Sequence, residues 1–197
     1  MYTSSEKLGK DANALELAIA ITLFVLGLIG SIWSRSDLLL LPFILFSLFR
    51  VVSLSRQSKI QWKEVGNQKA FLVAHGVVTL LIILGLFLVR DSLELPAWLS
   101  DSDPVYILFV YALIQELVFR AYLITKLSYV VKKPALAVLG SSLIFALSHL
   151  TLPDSGLIVG FTFVLGLVWG WLYLKYRNLP LLIASHFLVN WSINFIF

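Results

Sequence analysis

Seven stretches of this chain are apolar for so long that water cannot be their solvent. They cover roughly residues 13–33, 37–54, 70–89, 105–127, 134–152, 156–174 and 178–197. A bilayer core about 30 Å thick takes about 20 such residues as a helix, and shorter runs suffice where their ends snorkel or the bilayer thins. The whole composition agrees. Hydrophobic residues make up 59% and charged residues 13%, with a mean hydropathy of +0.92, outside the range of soluble globular domains. The expected fold class is therefore all-α, a polytopic integral membrane helix bundle of about seven transmembrane helices. The second run is the weakest, because Pro42 can kink it and Arg50 must lie near an end or find a partner.

The fifteen Lys and Arg residues test that count, since connections should alternate between a basic and a non-basic side of the membrane. One side collects Lys7, Lys10, Arg56, Lys59, Lys63, Lys69, Lys126, Lys132, Lys133, Lys175 and Arg177; the other holds Arg35 and Arg90, while Arg50 and Arg120 fall inside runs. This asymmetry predicts an inside N-terminus and an outside C-terminus. The net charge of +4 is then a matter of orientation, and nucleic acid is not an expected partner. The first run lacks a small-residue cleavage site, so it reads as a retained helix rather than a signal peptide. The basic connection 55–69, with Trp62, suits an interfacial turn on an anionic leaflet or a plain solvated loop. The acidic connection 91–104, with Pro96 and Trp98, reads as a polar loop held at the opposite interface. In the sixth run, GLIVG and GLVWG place Gly156, Gly160, Gly166 and Gly170 at small-xxx-small spacing, which lets backbones approach closely.

With no cysteine in the chain, chemistry falls to carboxylates, imidazoles, hydroxyls and amides. Ionisable groups deep in a membrane helix cost about 2.5–3.5 kcal/mol on insertion scales, so each needs a partner or a task. Three runs carry them: Gln115, Glu116 and Arg120 in LIQELVFRAYL, His149 in IFALSHL, and His186 with Asn190 in ASHFLVN. Glu116 and Arg120, spaced i and i+4, share a face and can form a structural ion pair, with Gln115 turned about 100° away. Phe145 precedes His149, and His186 precedes Asn190, at the same spacing. A water held by a carboxylate and an imidazole can attack a carbonyl while another imidazole or an amide steadies the oxyanion. Two imidazoles and a carboxylate, Glu116, His149 and His186, also make an adequate set for a divalent metal such as zinc. HExxH, GxSxG and GxGD are all missing, which removes three other intramembrane hydrolase chemistries. Ser148 is expected to point away from its neighbour His149, and His75 reads as structural.

Taken together, Gln115-Glu116-Leu117-Val118-Phe119-Arg120, then Phe145 to His149, then His186 to Asn190 resemble the EExxxR, FxxxH and HxxxN motifs of the CPBP family of intramembrane proteases. That family includes CAAX prenyl proteases and bacteriocin-processing and immunity (Abi-like) proteins. The resemblance spans about residues 105–197; residues 1–104 match only as hydrophobic spans, helices one to three, and the two parts are expected to form one structural unit. It implies an intramembrane endopeptidase in which Glu116 and His149 activate water, His186 and Asn190 stabilise the tetrahedral intermediate, and Arg120 fixes the carboxylate. It also implies a membrane-associated substrate, such as a lipidated C-terminus or a sorting segment, and a prokaryotic cell membrane as the setting. Gln115 departs from the motif: its amide can hold water but cannot take a proton. Two other readings stay open for these residues, a non-catalytic immunity or regulatory scaffold of the same family and a small transporter subunit whose Glu, Arg and His line an ion path. Substrate identity and oligomeric state are not written in the sequence.

Overall fold

The computed structural model of the protein describes residues 4–57, 60, 68–90, 105–152 and 156–196. Among them the chain is helical throughout and forms no strand, as expected when every backbone polar group within lipid must be bonded inside its own segment. Helix α1 is Ser4–Ser34. A 3₁₀ turn, Asp37–Leu40, leads into α2, Leu41–Arg56; α3 is Gln68–Val89. Helix α4, Val105–Gln115, continues without a break through a π-helical stretch, Glu116–Ile124, into α5, Thr125–Val131. Helix α6, Pro134–Leu147, ends in a 3₁₀ turn, Ser148–Thr151, and is followed by α7, Gly156–Tyr176, and α8, Leu179–Ile196.

Among the described residues five segments are long and apolar enough to cross a membrane: Asp11–Ser34, Asp37–Arg56, Val105–Val131, Pro134–Thr151 and Gly156–Tyr176. The other two expected spans are shorter apolar helices, Leu72–Leu88 and Leu179–Ile193. Pro42 does not kink α2. It sits in the first turn, where its missing N–H would have had no helical partner in any case. Arg35, Lys132 and Arg177 adopt left-handed φ values of 54°, 54° and 50° just past helix ends, a place usually taken by glycine. The surroundings expected for Trp62, Pro96 and Trp98 concern residues outside those described, as do the side chains of Lys7, Lys10, Lys59 and Lys63.

Internal contacts divide the chain into two compact units, Met1–Ile60 with Leu117–Trp171, and Gln61–Glu116 with Leu172–Phe197. In the first, a ladder of rings runs from Phe24 to Phe43 (centroids 5.2 Å apart), on to Phe119 (6.3 Å), Phe145 (5.1 Å) and His149 (5.0 Å). Small residues let the backbones meet: a methyl group on Gly27 would lie 2.5 Å from the Leu39 carbonyl oxygen, and one on Gly166 would lie 2.9 Å from Ser142. Of the two glycine pairs on α7, Gly166 and Gly170 are used in this way; among the described residues nothing lies within 4 Å of such a methyl at Gly156 or Gly160. Arg50 has found its partner. Its Nε donates to Glu16 Oε1 at 2.8 Å and its Nη2 to Oε2 at 2.6 Å, and Lys126 Nζ reaches Oε2 at 2.7 Å and Asn13 Oδ1 at 2.9 Å. Lys126, expected in a basic connection, is thus buried in an ionic cluster. Its four-carbon stem carries the ammonium from the end of the span to a carboxylate one helix away.

The second unit is built from α3, α4 and α8, with α8 packed on both others. Phe109 of α4 meets Phe187 of α8 edge to face at 5.9 Å, and Phe187 stacks on Trp191. On α3 the usual distribution of polarity is inverted: His75 and Thr79 are buried, while Leu72, Val73, Val77 and Leu80 are exposed. In lipid this is the cheap arrangement, because the apolar side chains meet acyl tails and the polar ones need protein partners.

Candidate active site

Glu116 and His186 belong together. Glu116 is the first residue of the π-helical stretch after α4, His186 lies midway along α8, and the ring contact of Phe109 with Phe187 holds the two helices side by side. His186 Nδ1 lies 2.7 Å from Glu116 Oε1, with side-chain exposures of 3% and 0%. At that distance and burial the two groups hold one proton between them. With the proton on Nδ1, Glu116 is a carboxylate acceptor and Nε2 carries a lone pair; with it on the carboxyl, Nε2–H is a donor. The pair can therefore take up or release a proton at Nε2 without the imidazole moving.

His149 is positioned differently. Helix α6 tightens into the 3₁₀ turn at Ser148, and His149 Nδ1 then lies 2.9 Å from the Phe145 carbonyl oxygen. A carbonyl only accepts, so Nδ1 carries the hydrogen and Nε2 is the basic nitrogen. The Phe145 ring stands edge-on to the imidazole at 5.0 Å, which fixes the ring plane as well. Ser148 does not point away: its Oγ donates to the same Phe145 oxygen at 2.7 Å and lies 3.4 Å from His149 Nδ1. The tighter 3₁₀ turn brings neighbours together that an α-helix would have splayed.

Arg120 is buried, its guanidinium 4.5 Å above the Phe145 ring and 5.8 Å from the centre of Trp169. Aromatic faces attract a cation most strongly where water is excluded. Glu116 and Arg120 both lie in the π-helical stretch Glu116–Ile124, which closes its bonds from i to i+5. Such insertions recur at functional positions.

Residues 102–192 match a family model described as Type II CAAX prenyl endopeptidase Rce1-like. That segment is similar to the Rce1-like family. This agrees with the CPBP resemblance, and all three motifs lie within the matched residues. No curated protein and no solved structure matches the chain.

Within the Rce1-like segment, Gln115 ends α4 half-buried, and Asn190 lies half-buried one turn beyond His186 on α8. Among the described residues no group of three or more His, Asp and Glu side chains is placed to hold a metal ion. Two residues that sequence reasoning passed over lie beside the pair: Thr79 of α3 and Ser185 of α8 share a buried hydrogen bond of 2.7 Å, one residue from His186. His75, read as structural, is buried on the same face of α3 one turn before Thr79. The available signal was their spacing: His75 and Thr79, at i and i+4, are polar residues on one face of an otherwise apolar run.

Proposed function

We propose that the protein is an intramembrane endopeptidase that hydrolyses a peptide bond of a membrane-associated substrate, with Glu116 and His186 as the pair that activates water. The observation carrying this reading is the 2.7 Å Nδ1 to Oε1 contact in a fully buried setting. Water gives a proton to His186 Nε2 as its oxygen bonds to the carbonyl carbon; Glu116 holds the imidazolium that results. The Asn190 amide, one turn along α8, donates to the oxyanion. Collapse breaks the C–N bond, and the proton on Nε2 passes to the leaving amine. The family resemblance gives His149, whose Nε2 is the basic nitrogen, a water-holding role. Arg120 and Phe145 support the site by fixing the turn and the ring that orient His149, and Gln115 holds water without taking a proton.

The family name carries a substrate class with it: a peptide whose C-terminus bears a prenyl group is the first substrate to test, a sorting segment the second. The charge asymmetry favours an inside N-terminus and an outside C-terminus, which reporter fusions at the two ends would read directly.

In purified protein, Glu116→Gln is expected to lower cleavage by about 10²- to 10⁴-fold while the protein stays folded. A Glu116→Gln variant that cleaves as fast as wild type would sink the mechanism. Gln115 favours the second reading, a scaffold that grips a helix without cutting it. Gln115→Glu separates the two: cleavage appearing only in that variant supports the scaffold, and activity already present in the wild type excludes it. A divalent metal such as zinc is an additional proposal, tested by whether zinc restores activity to chelated protein.

A further inference from the structure

Ser185, His186 and Phe187 are consecutive on α8, and each reaches across to another helix. Ser185 Oγ lies 2.7 Å from Thr79 Oγ1 of α3 in a buried hydrogen bond. His186 Nδ1 lies 2.7 Å from Glu116 Oε1, and the Phe187 ring meets Phe109 of α4 at 5.9 Å. All of these residues belong to one compact unit, Gln61–Glu116 with Leu172–Phe197. Successive side chains on a helix point about 100° apart, so a helix anchored at Ser185 has the direction of His186 fixed with it. Thr79 lies on a helix wholly outside residues 102–192, and it is buried while Val77 and Leu80 beside it are exposed.

Apolar burial alone does little to fix that direction. Lipid tails are as apolar as the leucines and valines of α8, so the rotation of the helix about its own axis is set by close packing and by polar ties to its neighbours. On a helix about 10–12 Å wide, a rotation of about 10° moves a side-chain tip by about 1 Å. A displacement of that size takes the 2.7 Å contact of His186 with Glu116 beyond about 3.2 Å, the ordinary limit of a hydrogen bond. We propose that Thr79 is a positioning residue of the Glu116–His186 pair: its hydroxyl, bonded to Ser185, sets the rotation of α8 at which His186 Nδ1 meets Glu116. Thr79 takes no part in the chemistry and acts through Ser185. Two hydroxyls suit the task, because each can donate or accept and neither is charged, so the tie does not compete for the proton that the pair holds.

The inference rests on the proposed protease reading for its effect on cleavage, so its test has one readout that needs none. In protein labelled with ¹⁵N-histidine, the Nδ1 resonance of His186 is identified by its loss in His186→Gln. Thr79→Val keeps the branched shape and removes the hydroxyl; it is expected to shift that resonance, as is Ser185→Ala, whereas Thr79→Ser leaves it in place. Leu86→Ala, at a buried position on the same helix, should lower stability through the cavity it opens and leave the resonance unmoved. A resonance unmoved in folded Thr79→Val and Ser185→Ala, or moved as far by Leu86→Ala, overturns the proposal whether or not the protein is a protease. In a cleavage assay Thr79→Val is expected to lower kcat about 10-fold with KM unchanged, and Thr79→Ser to restore it. The double variant Thr79→Val with Ser185→Ala should lose no more than either single one, since both remove the same bond. An unchanged kcat in Thr79→Val, or losses that multiply in the double variant, overturns the tie. A wild type that cleaves nothing, with the resonance shift intact, overturns the protease reading and leaves the control of His186 by Thr79 standing.

Discussion

Each unit of the molecule holds a carboxylate within a membrane span, Glu16 half-buried and Glu116 fully buried, and the partners they are given differ. Glu16 is surrounded by permanent cations, with Arg50 bidentate on both oxygens and Lys126 on one of them. Glu116 is bonded instead to an imidazole, a partner that can lose its charge. Two fixed cations hold a carboxylate ionised and motionless, which suits a staple between helices. A titratable partner can take up and give back a proton, which suits acid–base chemistry. Both arrangements lower the cost of a buried charge, and only the second leaves something for a substrate to use.

The comparison breaks most visibly at Glu16. Glu16→Ala strands Arg50 and Lys126 without their counter-charge among α1, α2 and α5, and removing one member of a buried charge cluster costs about 3–5 kcal/mol. Unfolding of the purified protein in mixed detergent should therefore shift strongly for Glu16→Ala and little for Glu116→Gln, whose effect is on cleavage. If the two variants lost stability equally, the distinction between staple and site would be lost. The next effect is steric. Gly27 lets α1 pass against the Leu39 backbone, and the methyl of Gly27→Ala would meet a carbonyl oxygen rather than a side chain that could swing aside. Overpacking of this kind costs about 1–3 kcal/mol. The same change at Gly160, where nothing lies within 4 Å, should leave stability unaltered, and an equal loss at both positions would refute the role given to the close approach.

These contrasts also mark how far the sequence could be read. The helices were legible because lipid allows a long apolar run only one common solution, and the three polar motifs were legible because charge inside such a run is expensive. Arg50 announced a missing partner for that reason, but Glu16 could not be named from one chain: the pairing is 34 residues apart and depends on how α1 packs on α2. Lys126 was misplaced because a lysine near the end of a run reads as a connection, and its reach inward shows only in three dimensions. The π-helical stretch at Glu116–Ile124 has no period that distinguishes it from an α-helix over nine residues, so it could not be read from the sequence. His75 was read as structural, and its burial on one face with Thr79 shows only once α3 is packed.

The smallest effect tests the local order around His149. Ser148 Oγ and His149 Nδ1 both donate to the Phe145 carbonyl, which has two lone pairs and can serve both. Ser148→Ala removes one neutral hydrogen bond at a half-buried position, a loss of about 0.5–1.5 kcal/mol. Because the imidazole keeps its own bond to the same oxygen, its tautomer does not change, and cleavage should stay within about twofold of wild type, which corresponds to less than about 0.5 kcal/mol in the barrier. A large loss of kcat in Ser148→Ala would mean that the hydroxyl itself takes part in the reaction. The 3.4 Å separation of Ser148 Oγ from His149 Nδ1 would then have to be read as a serine and its base, with Nδ1 giving up the Phe145 carbonyl to accept the hydroxyl proton. The shorter distance to the carbonyl argues for the first outcome, since a nitrogen that donates to Phe145 has no lone pair left with which to activate its neighbour.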